Sequence, residues 1–407
     1  MDTRKFVQDA RDAWSKGRNE EALQIAADVV ASDPRNAEAA FLAGVYCQSM
    51  GQLDRSQEYL LASIRLSPTI AAPYWALSKQ LSLRSHVALV DWLIDIANTS
   101  ASDSMNRITA LFALAKAHHD DAMYEESSNY LLEANNSKLR VRPSDCERII
   151  QISQRNLRDG LSEVRDSCRP MSDTAATPIF LVGLPRSGST LLEQLLIRSG
   201  CVHGMGESDL LQKAVTSGAG ASLKEKCRNL GRNYLGLLPR QGDFTHYTDK
   251  ALYNYTMLPQ ICQYISGARV LHCRRDPMDL ILSMYQAHFQ NGNAYCSSLR
   301  DSARVYLEKE QVLNACISAF PGSIMTVQYE DLVSETEGTL SQVLEFCGLP
   351  PTNVSNDTNN ADQPILTSSL VQARMPIYRT SVRTSENYRS LLRPAEEVLL
   401  GVSDYRL

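Results

Sequence analysis

Residues 180–196 read FLVGLPRSGSTLLEQLL and carry the residue types of an anion-binding loop. Gly183 and Gly188 fit the phosphate-loop pattern G-x-x-x-x-G-K-S/T, except that Ser189 stands at the lysine position. In a nucleoside triphosphatase that lysine reaches the β- and γ-phosphates, and the next hydroxyl holds magnesium. Here Arg186 lies inside the loop, and no apolar run followed by a metal-binding aspartate is evident. These residues favour a shorter anion at the 5′ end of a nucleotide.

The segments that flank this loop predict how it is held. The run PIFLVGL before it is continuously apolar, which is typical of a buried parallel strand. The segment STLLEQLLIRSG after it has the spacing of an amphipathic helix that ends at Gly200. A strand, loop and helix in this order direct backbone N–H groups and the helix N-terminus at an anion.

A second basic element occurs in ARVLHCRRDPMDLILSMY, residues 268–285. It reads as another buried strand ending in Arg274-Arg275, followed by a helix that contains Ser283. Arg275 and Ser283 are eight residues apart, so a turn and the next helix can bring both onto one phosphate. The other interpretation is a capped strand-to-helix turn with a small buried serine, and taken alone this element favours it. His272 lies inside the predicted strand, so we expect it in the core.

The N-terminal part of the chain repeats. Gly17 pairs with Gly51, and Pro34 with Pro68, each at a spacing of 34 residues. This period resembles the tetratricopeptide repeat, in which two antiparallel helices bury their apolar faces against the next pair. A third unit begins near residues 72–81 without the turn glycine. The pattern at 108–135 predicts a further helix pair. The repeats would either bind a peptide or protein, or only cover and solubilise the neighbouring domain; both interpretations stay open.

Bulk composition sets limits on the function. A net charge of −5 gives no general reason to expect nucleic-acid binding, and no apolar run is long enough for a membrane span. The ten cysteines are scattered without zinc-type spacing, and the N-terminus lacks an apolar signal core. We therefore expect a cytoplasmic protein. The run His118-His119-Asp120-Asp121 predicts a helix end and not a metal cluster, since consecutive residues point around a helix.

Pro, Ser and Thr in RPMSDTAATP break the helical pattern and predict a linker at residues 169–178. The predicted organisation is a tetratricopeptide-like helical domain at 1–168 and a second domain at 179–407. The fold class is α plus α/β: helical hairpins followed by a P-loop-like α/β domain with a central parallel sheet.

Five motifs in order resemble the sulfotransferases that use 3′-phosphoadenosine 5′-phosphosulfate (PAPS). They resemble most the tetratricopeptide-fused branch whose catalytic half is related to tyrosylprotein sulfotransferases. The resemblance covers about residues 178–395. The motifs are GLPRSGSTLLEQLL, DKALYNY (249–255), RRDPMDLILS, VQYEDLV (327–333) and VQARMPIYRTSVRTSENYRSLLRP (371–394).

The resemblance implies a sulfotransferase domain, with PAPS as donor, 3′-phosphoadenosine 5′-phosphate (PAP) as product and no metal requirement. In the family the first loop holds the 5′-phosphosulfate, and the residues that match here are Pro185, Arg186, Ser187, Gly188, Ser189 and Thr190. Arg275 and Ser283 would hold the 3′-phosphate, and Tyr329 would flank the adenine or ribose. Arg379, with Arg374 and Tyr378, lies in the motif that closes over the nucleotide.

For catalysis the resemblance implies Arg186 and Lys250 as charge stabilisers and Glu207, 21 residues after Arg186, as the base. A surface lysine and a helix-terminal acid are the structural alternatives. His203, His246 and His272 are rival bases, because small-molecule sulfotransferases use a histidine.

The acceptor would bear a hydroxyl on a peptide tyrosine, sugar, lipid or small molecule. A peptide or protein acceptor could dock on the repeats, and homo-oligomerisation stays open. Three departures from the family concern the acceptor side: DKALYN lacks Met-Pro, Ser189 replaces Thr, and RSGCVHG lacks His-Pro.

Two other classes of function compete with this interpretation. The first is a P-loop kinase or NTPase that acts on a small substrate, against which Ser189 and the missing metal strand argue. The second is a non-catalytic tetratricopeptide adaptor with a degenerate nucleotide domain, against which the retained charged residues argue. Magnesium-dependent turnover of ATP without turnover of PAPS would establish the first class. Thermal stabilisation by PAP, compared with ATP and buffer, is a simple test of the nucleotide site.

Overall fold

The N-terminal part of the chain folds into helical hairpins. The structure is a computed structural model that describes residues 3–162, 176–217, 223–239, 244–351 and 382–401. Gly17 and Gly51 have φ of +74° and +80° in the turns of the first two hairpins, which the left-handed region allows glycine at little cost. The nine helices described before the sheet are α1 (Thr3–Ser15), α2 (Asn19–Ser32), α3 (Ala37–Ser49), α4 (Leu53–Leu66), α5 (Ala71–Ser78), α6 (Val87–Thr99), α7 (Met105–Asp120), α8 (Tyr124–Val141) and α9 (Cys146–Ser162).

The third hairpin departs from the first two, as the missing turn glycine predicts. Its first helix, α5, has eight residues, and a short 3₁₀ turn at Leu83–Ser85 precedes α6. The later pair α7 and α8 is longer, and α7 ends at Asp120. His118–Asp121 therefore lies at a helix end, as the sequence predicts.

The C-terminal part contains a parallel sheet with strand order β2-β3-β1-β4-β5. Its described strands are β1 (Thr177–Gly183), β2 (Val202–Gly204), β3 (His246–Asp249), β4 (Arg269–Arg274) and β5 (Ile324–Gln328). The described helices around it are α10 (Ser189–Ile197), α11 (Leu210–Thr216), α12 (Leu223–Leu237), α13 (Leu258–Tyr264), α14 (Pro277–Tyr285), α15 (Leu299–Ala319), α16 (Tyr329–Ser334), α17 (Thr336–Cys347) and α18 (Arg389–Leu400).

Both faces of the sheet are buried, which explains the continuous apolar run in β1. Ile179 and Leu181 belong to the core that includes residues of α10 and α17. Phe180 and Val182 point to the other face, into a core that includes residues of α13, α14 and α15. Alternate residues of one strand thus enter two separate cores. An apolar residue is required at every position, as in other parallel sheets covered on both sides.

The second of these cores continues into the helical hairpins. It includes buried residues of α4 to α8 together with residues of the sheet and its helices. Buried polar contacts support the same junction: Asn135 Nδ2 donates to the carbonyl oxygen of Tyr285 at 3.0 Å. At Gly160 an added Cβ would lie 2.4 Å from Pro259, so α9 and α13 approach closely there. The helical part is therefore packed directly on the α/β part.

The predicted linker lies mostly outside the described residues. The last described residue of α9 is Ser162, and the sheet begins at Thr177, whose N–H donates to the carbonyl of Thr245 at 2.8 Å. The strand thus starts two residues before the predicted domain start at 179. Among the described helices, none is long and apolar enough to cross a bilayer.

Candidate functional site

The parallel sheet brings the segments that follow its strands to one edge. The carboxyl ends of β1, β3, β4 and β5 are followed by the glycine loop, Lys250, Arg275 and Tyr329. Ligands of open α/β sheets bind at this edge, where the strand order reverses. In this sheet the order reverses around β1, so the loop at 184–188 lies where a ligand is expected.

The loop after β1 has an unusual backbone that two glycines permit. Gly183 has φ of +155°, and an added Cβ would lie 2.7 Å from the carbonyl oxygen of Cys273. Gly188 has φ of +90°, and its Cβ would lie 2.5 Å from the ring of Tyr329. Arg186 adopts a left-handed φ of +74° although it has a side chain. Such a conformation costs about 1–2 kcal/mol and persists only where surrounding contacts hold it.

The N-terminus of α10 has features of an anion-binding site. Gly188 is its N-cap, and no side chain caps the helix. Phosphate groups bind helices at this position, because the first N–H groups of a helix have no carbonyl partner within it. The Ser187 side chain is only 2% exposed, and its hydroxyl finds no hydrogen-bond partner within the described parts of the chain. Ser189 and Thr190 are also buried in this turn. Such a buried hydroxyl could bond to a ligand held in this loop.

Hydrogen bonds join this loop to the second basic element. Arg186 Nε donates to the hydroxyl of Ser283 at 3.1 Å, and Arg275 Nη1 donates to the carbonyl oxygen of Arg186 at 3.0 Å. The Arg275 guanidinium lies 4.6 Å from the ring centroid of Tyr329. The structure thus brings four predicted site residues into one cluster, from the segments that follow β1, β4 and β5. It also explains how the strained backbone of Arg186 is held.

The neighbouring arginine has a different role. Arg274 Nε donates to Glu310 at 3.1 Å, and Glu310 also pairs with the buried ammonium of Lys309. Lys309 Nζ lies 3.2 Å from His272 Nε2. Burial, with smaller contributions from Lys309 and Arg274, lowers the pKa of His272 well below its usual value. His272 is a core residue of β4, as the sequence predicts, and Arg275 is the arginine that bonds to the loop.

Lys250 lies between two carboxylates. Its side chain is 2% exposed, and its Nζ is 3.6 Å from Glu207 Oε1 and 3.7 Å from Glu193 Oε2. The Glu207 carboxylate is largely solvent-exposed, with 62% of its side chain accessible. The structure therefore places the predicted lysine and the predicted base next to each other, with the base open to a substrate.

The turn that carries Lys250 is fixed by Asp249. This buried carboxylate accepts hydrogen bonds from the hydroxyl of Tyr234 at 2.9 Å, the N–H of Ala251 at 3.1 Å and Nδ2 of Asn254 at 3.1 Å. Burial raises its pKa, and these donors oppose the increase. Asp249 thus positions Lys250 without facing the site itself.

Sequence reasoning missed Glu193. This residue of α10 is buried, and its Oε1 accepts from the hydroxyl of Thr248 at 2.9 Å and from the N–H of Gly206 at 3.1 Å. Burial raises its pKa, while Lys250 acts in the opposite direction. Glu193 ties the loop helix to the segments that carry Lys250 and Glu207. Its spacing of three residues after Thr190 gives no signal for this role, because the partner strand is distant in sequence.

The rival histidines lie elsewhere. His246 begins β3, and its Nε2 lies 3.1 Å from the carbonyl oxygen of Cys347. Lys250 follows the other end of this strand, about 13 Å away at the usual rise per residue. His203 packs its ring against Phe244 and Tyr247, at centroid distances of 5.4 and 5.8 Å. Neither histidine has a contact with Lys250 or Arg186 in the described structure.

The last predicted motif falls only partly within the described chain. Arg374, Tyr378 and Arg379 lie outside the described residues. The chain after them packs on α14, since Asp279 accepts hydrogen bonds from the N–H groups of Arg383 and Ser385 at 2.6 and 2.8 Å.

A protein-family model matches most of the C-terminal part of the chain. Residues 178–353 match the sulfotransferase family. The match begins in β1 and includes the glycine loop, Lys250 and the Arg275 element. The chain is a helical N-terminal region followed by a sulfotransferase domain with a central parallel sheet. No group of three or more potential metal ligands occurs among the described residues.

Individual proteins resemble the chain more distantly. An uncharacterized protein of Aquifex aeolicus (strain VF5) is 25% identical over 375 residues, which cover 86% of this chain and 48% of that protein. The chain therefore spans about half the length of this curated relative. Sulfotransferase STF9 from Mycobacterium avium is 12% identical, with 83% of this chain and 98% of that chain covered and a TM-score of 0.37. The sulfotransferase domain of the Synechococcus PCC 7002 olefin synthase is 16% identical, with 57% and 98% covered and a TM-score of 0.32.

Proposed function

We propose that this protein transfers a sulfuryl group from PAPS to a hydroxyl acceptor. The observation that carries the proposal is the connection of Arg275, Arg186 and Ser283, which joins the glycine loop to the element expected to hold a 3′-phosphate. A nucleotide with phosphates at both ends of its ribose would contact both parts of this cluster. ATP has no 3′-phosphate, so it would leave the second part without a ligand.

The donor would bind with its 5′-phosphosulfate in the glycine loop. The N–H groups at the start of α10 and the hydroxyls of Ser187, Ser189 and Thr190 would donate to its oxygens. The guanidinium of Arg275 and the hydroxyl of Ser283 would bind the 3′-phosphate by charge-assisted hydrogen bonds. Tyr329 would flank the adenine or ribose, and Arg379 would close over the nucleotide.

The chemistry requires one base and several positive groups. The acceptor oxygen attacks sulfur, the bond between sulfur and the bridging oxygen breaks, and its electron pair remains on the 5′-phosphate of PAP. Glu207 takes the acceptor proton, for which its exposed carboxylate is accessible. Lys250 and Arg186 stabilise the charge that develops on the departing phosphate. The buried position of Lys250 strengthens this effect, since a low dielectric constant reduces screening.

A carboxylate base suits a peptide tyrosine, sugar, lipid or small-molecule hydroxyl, and we propose a cytoplasmic acceptor among them. The helical region would be of the tetratricopeptide-fused type. Its hairpins would present a protein or peptide acceptor, or cover the apolar surface of the domain.

Label transfer with the full-length protein tests the proposal. Sulfur-labelled PAPS is incubated with a panel of peptide, sugar, lipid and phenolic acceptors, and labelled product is quantified. Once an acceptor is found, Glu207→Gln should slow single-turnover transfer by about 10²–10⁴-fold, because the base is lost while the shape is kept. PAP affinity should stay unchanged, and the control His203→Ala should keep the wild-type rate. A near-normal rate in Glu207→Gln with a collapse in His203→Ala would transfer the role to the histidine.

A further inference from the structure

Asp279 holds a later segment of the chain against the helix that carries Ser283. Its side chain is buried, and each of its carboxylate oxygens accepts a backbone N–H: Oδ2 that of Arg383 at 2.6 Å, and Oδ1 that of Ser385 at 2.8 Å. Asp279 and Ser283 lie one turn apart on the same face of α14, and Ser283 accepts a hydrogen bond from Arg186 of the glycine loop. Residues 383–385 therefore lie against the face of α14 that reaches this loop.

The backbone of this later segment needs the contact with Asp279. Arg383 has a left-handed φ of +62° and precedes a 3₁₀ helix at Thr384–Tyr388. This conformation is unfavourable for a residue with a side chain, and it persists where surrounding contacts hold it. The two N–H groups in turn satisfy a buried carboxylate, which would be costly without donors. Each partner thus stabilises the other.

Tyr388 fixes the other end of the 3₁₀ helix in the helical hairpins. It is 1% exposed, its ring stacks on His119 of α7 at a centroid distance of 5.9 Å, and it meets Tyr124 of α8 edge-on at 5.4 Å. Its hydroxyl donates to the hydroxyl of Ser127 at 3.0 Å, which itself donates to the carbonyl oxygen of Ala115 at 2.8 Å. Tyr388 is thus bonded to the hairpin formed by α7 and α8.

The direction of each hydrogen bond in this cluster follows from its donors. The Ser127 hydroxyl proton goes to the Ala115 carbonyl, so the Ser127 oxygen accepts from Tyr388. The Tyr388 oxygen is then left to accept from His119 Nδ1 at 2.8 Å. Burial raises the pKa of Tyr388 to about 12, so its hydroxyl keeps its proton at neutral pH. Each hydroxyl of the cluster therefore has both a donor and an acceptor partner.

We propose that Asp279 and Tyr388 are positioning residues of the donor site, through which α14 and the α7–α8 hairpin hold residues 383–388 beside the element assigned to the 3′-phosphate. The inference rests on the proposed function, because it takes the ligand of Arg186, Arg275 and Ser283 to be PAP or PAPS. Donor binding and docking of the segment stabilise the same arrangement of α14, so by linkage each strengthens the other. The hairpins thereby gain a role in donor binding besides any role toward an acceptor.

Calorimetric titration of full-length variants with PAP tests this role. Tyr388→Phe keeps the ring and removes the hydroxyl, so it should weaken PAP binding by about 2- to 10-fold, the range for one neutral hydrogen bond. Asp279→Ala should weaken it by at least about 10-fold, because both lost bonds are to a charged group. Tyr124→Phe is the matched control, since the Tyr124 hydroxyl has no hydrogen-bond partner among the described residues, and it should bind PAP as wild type does.

Selectivity separates a positioning role from a merely structural one. Asp279 and Tyr388 act on the helix of Ser283, so their variants should lose more affinity for PAP than for 5′-AMP, which lacks the 3′-phosphate. A residue that only stabilises the fold would lower the melting temperature and leave the ratio of the two affinities unchanged. Tyr388→Phe decides the question if Asp279→Ala does not fold, because phenylalanine keeps the packing of the ring.

Hydrogen exchange of the full-length protein gives a second readout. In wild type, PAP should slow amide exchange in peptides that cover residues 382–388 and in the α7–α8 hairpin, because ligand binding stabilises the docked arrangement. In Tyr388→Phe the slowing in the hairpin should be smaller. PAP binding that leaves exchange at residues 382–388 unchanged would overturn the inference.

The outcomes separate the inference from the proposed function. Wild type that binds PAP, while Tyr388→Phe and Asp279→Ala keep the wild-type ratio of PAP to 5′-AMP affinities, would overturn the inference and leave the proposed function intact. Wild type that binds no PAP would contradict both.

Discussion

Replacing Arg275 by alanine should remove the selectivity of the site for a 3′-phosphate. The guanidinium is buried, stacks 4.6 Å from the Tyr329 centroid and donates to the Arg186 carbonyl at 3.0 Å. A guanidinium carries five N–H donors, which is enough to bond a phosphate in addition to the Arg186 carbonyl.

The size of the effect follows from the contacts that are lost. A hydrogen bond to a charged group contributes about 1.5–3 kcal/mol, which corresponds to about 10- to 150-fold in affinity. The variant also loses the contact with the Arg186 carbonyl whichever ligand is bound. This loss should therefore lower the affinities for PAP and 5′-AMP equally. The ratio of the two affinities isolates the 3′-phosphate contact. We therefore expect Arg275→Ala to lower the preference for PAP over 5′-AMP by about 10- to 150-fold.

Calorimetry with both ligands measures this ratio directly. Arg274→Ala is the matched control, because Arg274 is the adjacent arginine and pairs with Glu310. It should change the ratio by less than about three-fold, because the Arg274 side chain pairs with Glu310 and is not assigned to the 3′-phosphate. Equal weakening of PAP and 5′-AMP in Arg275→Ala would refute the assignment. An equal change of the affinity ratio in Arg274→Ala and Arg275→Ala would refute it too.

Two further substitutions test how the loop and the lysine are held. Gly188→Ala should cost about 1–2 kcal/mol in stability and impair PAP binding, because its Cβ would lie 2.5 Å from Tyr329 at φ of +90°. Gly236→Ala, where no atom lies within 4 Å, should instead stabilise its helix, and equal melting temperatures for both variants would contradict this account. Glu193→Ala should lower the free energy of unfolding by about 1–3 kcal/mol, because the Thr248 hydroxyl and a backbone N–H lose their acceptor. Glu193→Gln keeps an acceptor oxygen and should be milder in denaturant titrations; identical losses would be evidence against this role.

The parts of the fold that depend on neighbouring residues could be predicted from the sequence. The apolar run before Gly183 predicted β1 because a strand covered on both faces needs an apolar residue at each position. The glycine at 188 predicted the start of α10, and the turn glycines predicted the first two hairpins. These features depend only on residues that are neighbours in the chain.

The rest depends on which segments meet, and local patterns do not encode this. Glu193 reads as a polar residue of an amphipathic helix, and only the placement of β3 beside β1 brings it to Lys250. Arg186 and Ser283 are 97 residues apart, and no local pattern indicates that their side chains form a hydrogen bond.

The choice of donor is the central claim, and a competition between donors tests it most directly. The full-length protein is supplied with equal concentrations of PAPS and ATP in the presence of magnesium and an acceptor mixture, and the nucleotide products are quantified. The account predicts that PAP accumulates and ADP does not, because Arg275 and Ser283 would bind a 3′-phosphate that ATP lacks. Accumulation of ADP while PAPS stays intact would contradict it and establish a P-loop kinase or NTPase instead.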